Sequence, residues 1–103
     1  MNSWDRTIEM NGNKVSDASP IEYYRDLVTG TLPVAHVSMT VGFSRDYGAL
    51  KVSATVSLAC DQTESRLNKA GELAFLKAEE LVQDGWREVE KKIEAEAVQL
   101  NSR

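Results

Sequence analysis

Groups that commonly carry catalysis are scarce in this sequence: it holds one histidine, His36, and one cysteine, Cys60. A Ser–His–acid triad would have to use His36, and no G-x-S-x-G elbow is there to present a serine. A Cys60–His36 pair is the remaining nucleophile–base arrangement. Cys60 closes an apolar run, which marks it instead as a buried structural thiol. A structural zinc site needs more His and Cys than these two. No Walker loop and no G-x-G-x-x-G occurs, and Gly42 and Gly48 sit in hairpin positions rather than in a phosphate cradle. Neighbouring carboxylates such as Glu79-Glu80 read as surface charge. The expectation is a non-enzymatic chain with no catalytic residue, no metal ligand and no cofactor.

Binding chemistry is better represented. Arg45, Tyr47 and Lys51 cluster at one turn, and Tyr23, Tyr24 and Arg25 in another segment. Aromatics beside Arg and Lys are what single-strand nucleic-acid binding uses. The overall charge of −4 does not suit a duplex-DNA binder, which carries a basic footprint. Acid concentrates late: residues 61–103 hold ten Asp and Glu against seven Lys and Arg. Glu79, Glu80, Asp84, Glu88 and Glu90 would meet a basic partner, and Arg45-Asp46-Tyr47 would supply a protruding contact.

The elements that must position these residues follow from periodicity. Residues 34–45 alternate, with Val37, Met39, Val41 and Phe43 on one side and Ser38, Thr40, Gly42 and Ser44 on the other. After the turn cluster Asp46-Tyr47-Gly48, Val52, Ala54, Val56 and Leu58 alternate with Lys51, Ser53, Thr55 and Ser57. Two period-2 runs joined by a short Gly-containing loop predict an antiparallel hairpin over 34–59 with one buried face. Its second face is rich in hydroxyls and poor in charge, suited to water or to a partner. Residues 1–18 carry Asn11-Gly12, the favoured type I′ pair, and predict a small hairpin or a loose arm. Ser19-Pro20-Ile21-Glu22 predicts a short helix over 20–29, stopped at Gly30.

Asp61-Gln62-Thr63-Glu64 carries a capping signature for one long amphipathic helix over 61–100. At 1.5 Å per residue it would be on the order of 55–60 Å long, about twice the reach of the hairpin strands. Val82, Trp86, Val89, Ile93 and Leu100 then form a seam with no sheet to cover it. Gly85 lies where the apolar stripe shifts, which marks a kink, a break or a close contact. The fold expected is a single α+β domain: an antiparallel β-hairpin packed on one long C-terminal helix, plus a short N-terminal helix. The uncovered seam predicts a homodimer in which two hairpins join edge to edge into a four-stranded sheet.

Val37-Ser38-Met39-Thr40-Val41-Gly42-Phe43, a turn, then Val52-Ser53-Ala54-Thr55-Val56-Ser57-Leu58-Ala59-Cys60-Asp61 and an acidic helix resemble small uncharacterised accessory proteins of bacteriophages. The likeness covers residues 37–85 and carries over no functional residue. It implies a phage protein that binds a host protein, with inhibition of a CRISPR-like defence effector as the sharpest form. Alternatives are a single-stranded nucleic-acid-binding or recombination accessory protein, carried by Arg45, Lys51, Tyr23 and Arg25, and a structural subunit of a larger assembly. With no apolar leader after Met1, no stretch near a membrane span and no internal disulfide, the expected setting is the cytoplasm, that of an infected bacterium if the resemblance holds.

Overall fold

The computed structural model of the chain describes residues 2–101, with side chains described through Ala97. Four strands, β1 (Ser3–Met10), β2 (Asn13–Pro20), β3 (Val34–Arg45) and β4 (Leu50–Asp61), precede one helix, α1 (Glu64–Asn101). They form one antiparallel sheet in the order β2-β1-β4-β3. β1 with β2 and β3 with β4 are hairpins, and the sheet closes where the first strand meets the last, Trp4 opposite Val56 and Ile8 opposite Val52. The α+β class, with an antiparallel sheet packed on one long C-terminal helix, is as the periodicity predicts.

The hairpin of residues 34–61 has the expected faces. Val52, Val56, Leu58 and Cys60 are fully buried beneath α1. Ser38 and Thr40 meet Ser57 and Thr55 on the other face through hydroxyl pairs at 2.7 and 2.8 Å. The N-terminal segment is more than an arm. Asn11 (φ 50) and Gly12 (φ 88) make the turn, and β1 becomes a central strand. Trp4, Arg6, Ile8 and Met10 point under α1, in register with Val56, Ala54, Val52 and Leu50. Asn2 finishes what β1 leaves open: its Oδ1 accepts the Ala59 amide at 2.8 Å and its Nδ2 donates to the Tyr23 carbonyl at 3.0 Å.

The short helix over 20–29 does not form. Ser19 and Pro20 end β2 instead of starting a helix, and only a 3-10 turn at Arg25–Leu27 follows. The competing demand is burial. Ile21 and Leu27 must both reach the core beside the end of β4, and a helix of two turns is marginal without tertiary support. The chain satisfies both residues with an irregular path that holds Tyr24 at φ 67.

The long helix starts at Glu64, capped by Thr63, whose Oγ1 accepts the Arg66 amide at 3.3 Å. Asp61, the expected cap, is instead buried and accepts from Thr29 N (3.1 Å) and Thr29 Oγ1 (2.8 Å), tying down the β2–β3 connection. α1 runs unbroken through Gly85. A Cβ on Gly71 would lie 4.0 Å from Val37 Cγ1 of β3, and one on Gly85 would lie 2.6 Å from Val52 Cγ1 of β4 and 3.5 Å from Arg6 Cδ of β1. The helix therefore crosses the sheet diagonally, from β3 towards β1. At Gly85 the helix comes closer to the sheet than a Cβ would allow. The diagonal also lengthens the covered stretch, so that Val82 and Val89 are buried in the chain's own core. They are not part of an uncovered seam. A four-stranded sheet forms within one chain, so β4 has no edge left to offer a second copy.

Candidate functional site

The diagonal path of α1 leaves one flank of the sheet open. β3 is an edge strand, twelve residues long and paired only with β4. Its inward side chains Ala35, Val37, Met39 and Val41 are half-buried where their neighbours on β4 are fully buried. Farther along, α1 has moved away, and a groove of about 250 Å³ opens between helix and strand, lined by Val41, Phe43, Glu79, Gln83 and Trp86. Phe43 and Trp86 meet edge to face at 5.7 Å, and the Arg45 guanidinium lies 4.8 Å over the Trp86 ring. Phe43 remains 54% exposed. Among the described residues Trp86 Nε1 has no acceptor.

The chemistry of this edge is as notable as its length. From Val34 to Ser44 there is no Lys, Arg, Asp, Glu or Pro. In an antiparallel edge strand every second residue turns its N–H and C=O outward, away from the sheet. Native sheets blunt such edges with charge, proline or shortness. The opposite edge does this: β2 is eight residues long and carries Lys14, Asp17 and Pro20. The asymmetry makes β3 the candidate binding site.

The expected contact residues are dispersed. At the tip, Asp46, Tyr47 and Gly48 take left-handed φ values of 54, 55 and 88, and Tyr47 stands fully in solvent. Arg45 turns back onto Trp86, so the trio Arg45-Asp46-Tyr47 does not act as one protrusion. The acidic set is divided between both flanks of α1. Glu79 lines the β3 groove, whereas Glu88 lies 3.6 Å from Arg6 of β1. Asp84 pairs with Arg87 at 2.9 Å, Glu80 with Lys77 at 3.7 Å, and Glu90 is exposed. These five carboxylates therefore form no single acidic face.

The residues proposed for nucleic acid are also separated. Tyr23 and Arg25 lie beside Asn2 and Ala59, and Arg25 is paired with Glu22 at 2.8 Å. Lys51 is at the other end of β4, eight residues and about 26 Å away at ~3.3 Å per residue. Of the expected dimer seam, Val82 and Val89 are core, Trp86 fills the groove, and Ile93 is exposed. Leu100 lies outside the described side chains.

Sequence reasoning missed Arg6. It is 9% exposed, with Nη2 at 3.1 Å from Asp17 and Nη1 donating to the Leu81 carbonyl at 3.3 Å. It locks β2, β1 and α1 together through its two terminal nitrogens, while its buried Nε has no acceptor among the described residues. The signal was its even spacing with Trp4, Ile8 and Met10. His36 projects from the open face of β3, opposite Ala59, and Cys60 is buried beneath α1, so the two point to opposite sides of the sheet. Among the described residues no three His, Cys, Asp or Glu side chains gather in a way that could hold a metal ion. No helix among them is long and apolar enough to cross a membrane. Comparison with family models, with curated proteins and with solved structures finds no match to the chain.

Proposed function

We propose that this chain is a non-enzymatic binding protein that receives a protein partner as an added strand along β3. The observation that carries the reading is the edge itself: twelve residues, uncharged as far as Ser44, flanked by an open aromatic groove. Main-chain hydrogen bonds to an added strand supply affinity, and pockets for alternate side chains supply selectivity. The groove at Phe43 and Trp86 is such a pocket, beside the strand and on its apolar side. The resemblance of residues 37–85 to small bacteriophage proteins supports a phage accessory role, with a host defence protein among the partners such a chain would engage.

A displayed library of random peptides, selected on the immobilised protein, tests the strand-addition reading. Binders are expected that lose at least tenfold in affinity on Thr40→Lys, which places a charge on the β3 edge. The same binders should tolerate Ser16→Lys on β2. With the chain monomeric by light scattering, a selection that returns no binder, or only binders indifferent to Thr40→Lys, would overturn it.

A further inference from the structure

Resting on that reading of β3, we infer that the strand added there is β3 of a second copy, in an antiparallel pairing with Thr40 at the two-fold axis. Antiparallel pairing of a strand with itself requires an axis perpendicular to the sheet. That axis keeps both helices on the same face and sets residues of the same face opposite each other. With Thr40 opposite Thr40, Val37 faces Phe43 and Ala35 faces Arg45, so eleven of the twelve residues of β3 find a partner. The four-stranded sheets merge into one of eight strands.

The side chains above this strand are self-complementary in that register. Phe43, half-exposed in one copy, would come to rest against Val37 of the other, beneath Gly71. Gly71 is not demanded by its own fold: a Cβ there would touch only Val37 Cγ1, at 4.0 Å. It does leave space above Val37 for an incoming ring. Phe75 lies one helical turn beyond, is 41% exposed, and would meet the same groove from the second helix. Two β4 strands separated by three strand spacings lie about 14 Å apart. Helices over them would sit a little beyond the usual 8–10 Å packing distance, a gap that aromatic side chains fill. Arg45, opposite Ala35, would approach the acidic first turn of α1 at Glu64.

The contact would be about 36 Å long at ~3.3 Å per residue. With its apolar side chains it is on the order of the ~800 Å² per partner that stable interfaces bury. On the open face, Thr40 already bonds Thr55 at 2.8 Å, so pairing at the axis would extend this hydroxyl row across both copies.

The test is a pair of cysteine variants of the full chain. Cα atoms directly opposite in an antiparallel pair are about 4.5–5.5 Å apart, inside the range a disulfide spans. Cys60 is buried and does not compete. Under mild oxidation at tens of micromolar, Thr40→Cys is expected to cross-link into a dimer, while Ser16→Cys on β2 stays monomeric. By light scattering the wild-type chain is expected to run at twice its 11.4 kDa mass, and Thr40→Lys at once that mass, still unfolding cooperatively but at the lower midpoint that loss of the dimer implies. A monomeric wild type, or Thr40→Cys that cross-links no faster than Ser16→Cys, overturns the inference. If the wild type is monomeric and library peptides still bind at β3, the second copy is wrong and the strand-addition reading stands. If peptides also fail, both fall.

Discussion

Gly85 carries more of the fold than its size suggests. A Cβ there would come within 2.6 Å of Val52 Cγ1, and Val52 is fully buried with a stiff branched side chain. In an exposed helix Gly→Ala gains about 1 kcal/mol. Here overpacking reverses the sign, and Gly85→Ala is expected to destabilise the chain by about 1–3 kcal/mol in urea denaturation. Adding Val52→Ala should recover part of that loss, because the two changes share one space. Cys60 offers a second check. Burial, and then the neighbouring Asp61 charge, push its thiol above the ordinary range. The folded chain thus prefers the neutral thiol, so this contribution is whole below the unfolded thiol's pKa and is lost as pH rises through the folded one. Stability should fall on going alkaline from the ordinary thiol range, and Cys60→Ala should flatten that slope. A thiol reagent should leave native Cys60 unmodified.

At the scale of elements, Asp61 and Thr63 divide two jobs that their sequence context assigns to one residue. The pattern Asp61-Gln62-Thr63-Glu64 resembles a capping box, yet Asp61 faces Thr29 and Thr63 caps the helix. Thr63→Ala is expected to cost about 0.5–2 kcal/mol and to speed amide exchange over the first turn of α1. Asp61→Ala should speed exchange at Thr29 and leave that turn protected. Both are separable by hydrogen exchange read residue by residue. The hairpin of β3 and β4 was legible in the sequence because its apolar and hydroxyl residues alternate without interruption. The Asn11-Gly12 turn was legible because two residues there need positive φ. The central place of β1 was hidden by Arg6, a charge at an inward position that interrupts the apolar alternation of Trp4, Ile8 and Met10. The short helix was over-read because Ser19, Pro20 and Glu22 satisfy a local rule that burial of Ile21 and Leu27 overrides. The open edge of β3 could not be read at all from local pattern, since it depends on which strand β4 accepts on its other side.

For the molecule as a whole, shape follows from one helix longer than the sheet it crosses. The chain measures 65 × 25 × 17 Å, with a radius of gyration of 17.3 Å. A compact chain of this length would have about 13 Å. The excess comes from the end of α1. Val89 is almost wholly buried, while residues 90–97 are all exposed, with Lys92 and Glu96 lining a shallow cleft beside the β1–β2 turn. Helix without a packed face contributes little stability. Removing residues 94–103 is therefore expected to lower the unfolding free energy by less than about 1 kcal/mol, within the range of surface changes. The same truncation removes the helical stretch from residue 94 to Asn101 and should shorten the particle by roughly 12 Å at 1.5 Å per residue. Small-angle scattering in the Thr40→Lys background, where β3 pairing is blocked, reads the chain alone and should show the radius of gyration falling towards the compact value. A truncated chain that loses its cooperative unfolding would mean that this last stretch of α1 is held by more than its own hydrogen bonds. A partner surface would then have to be sought there as well as at β3. If stability is unchanged, the search for a partner surface stays with the edge strand and its aromatic groove.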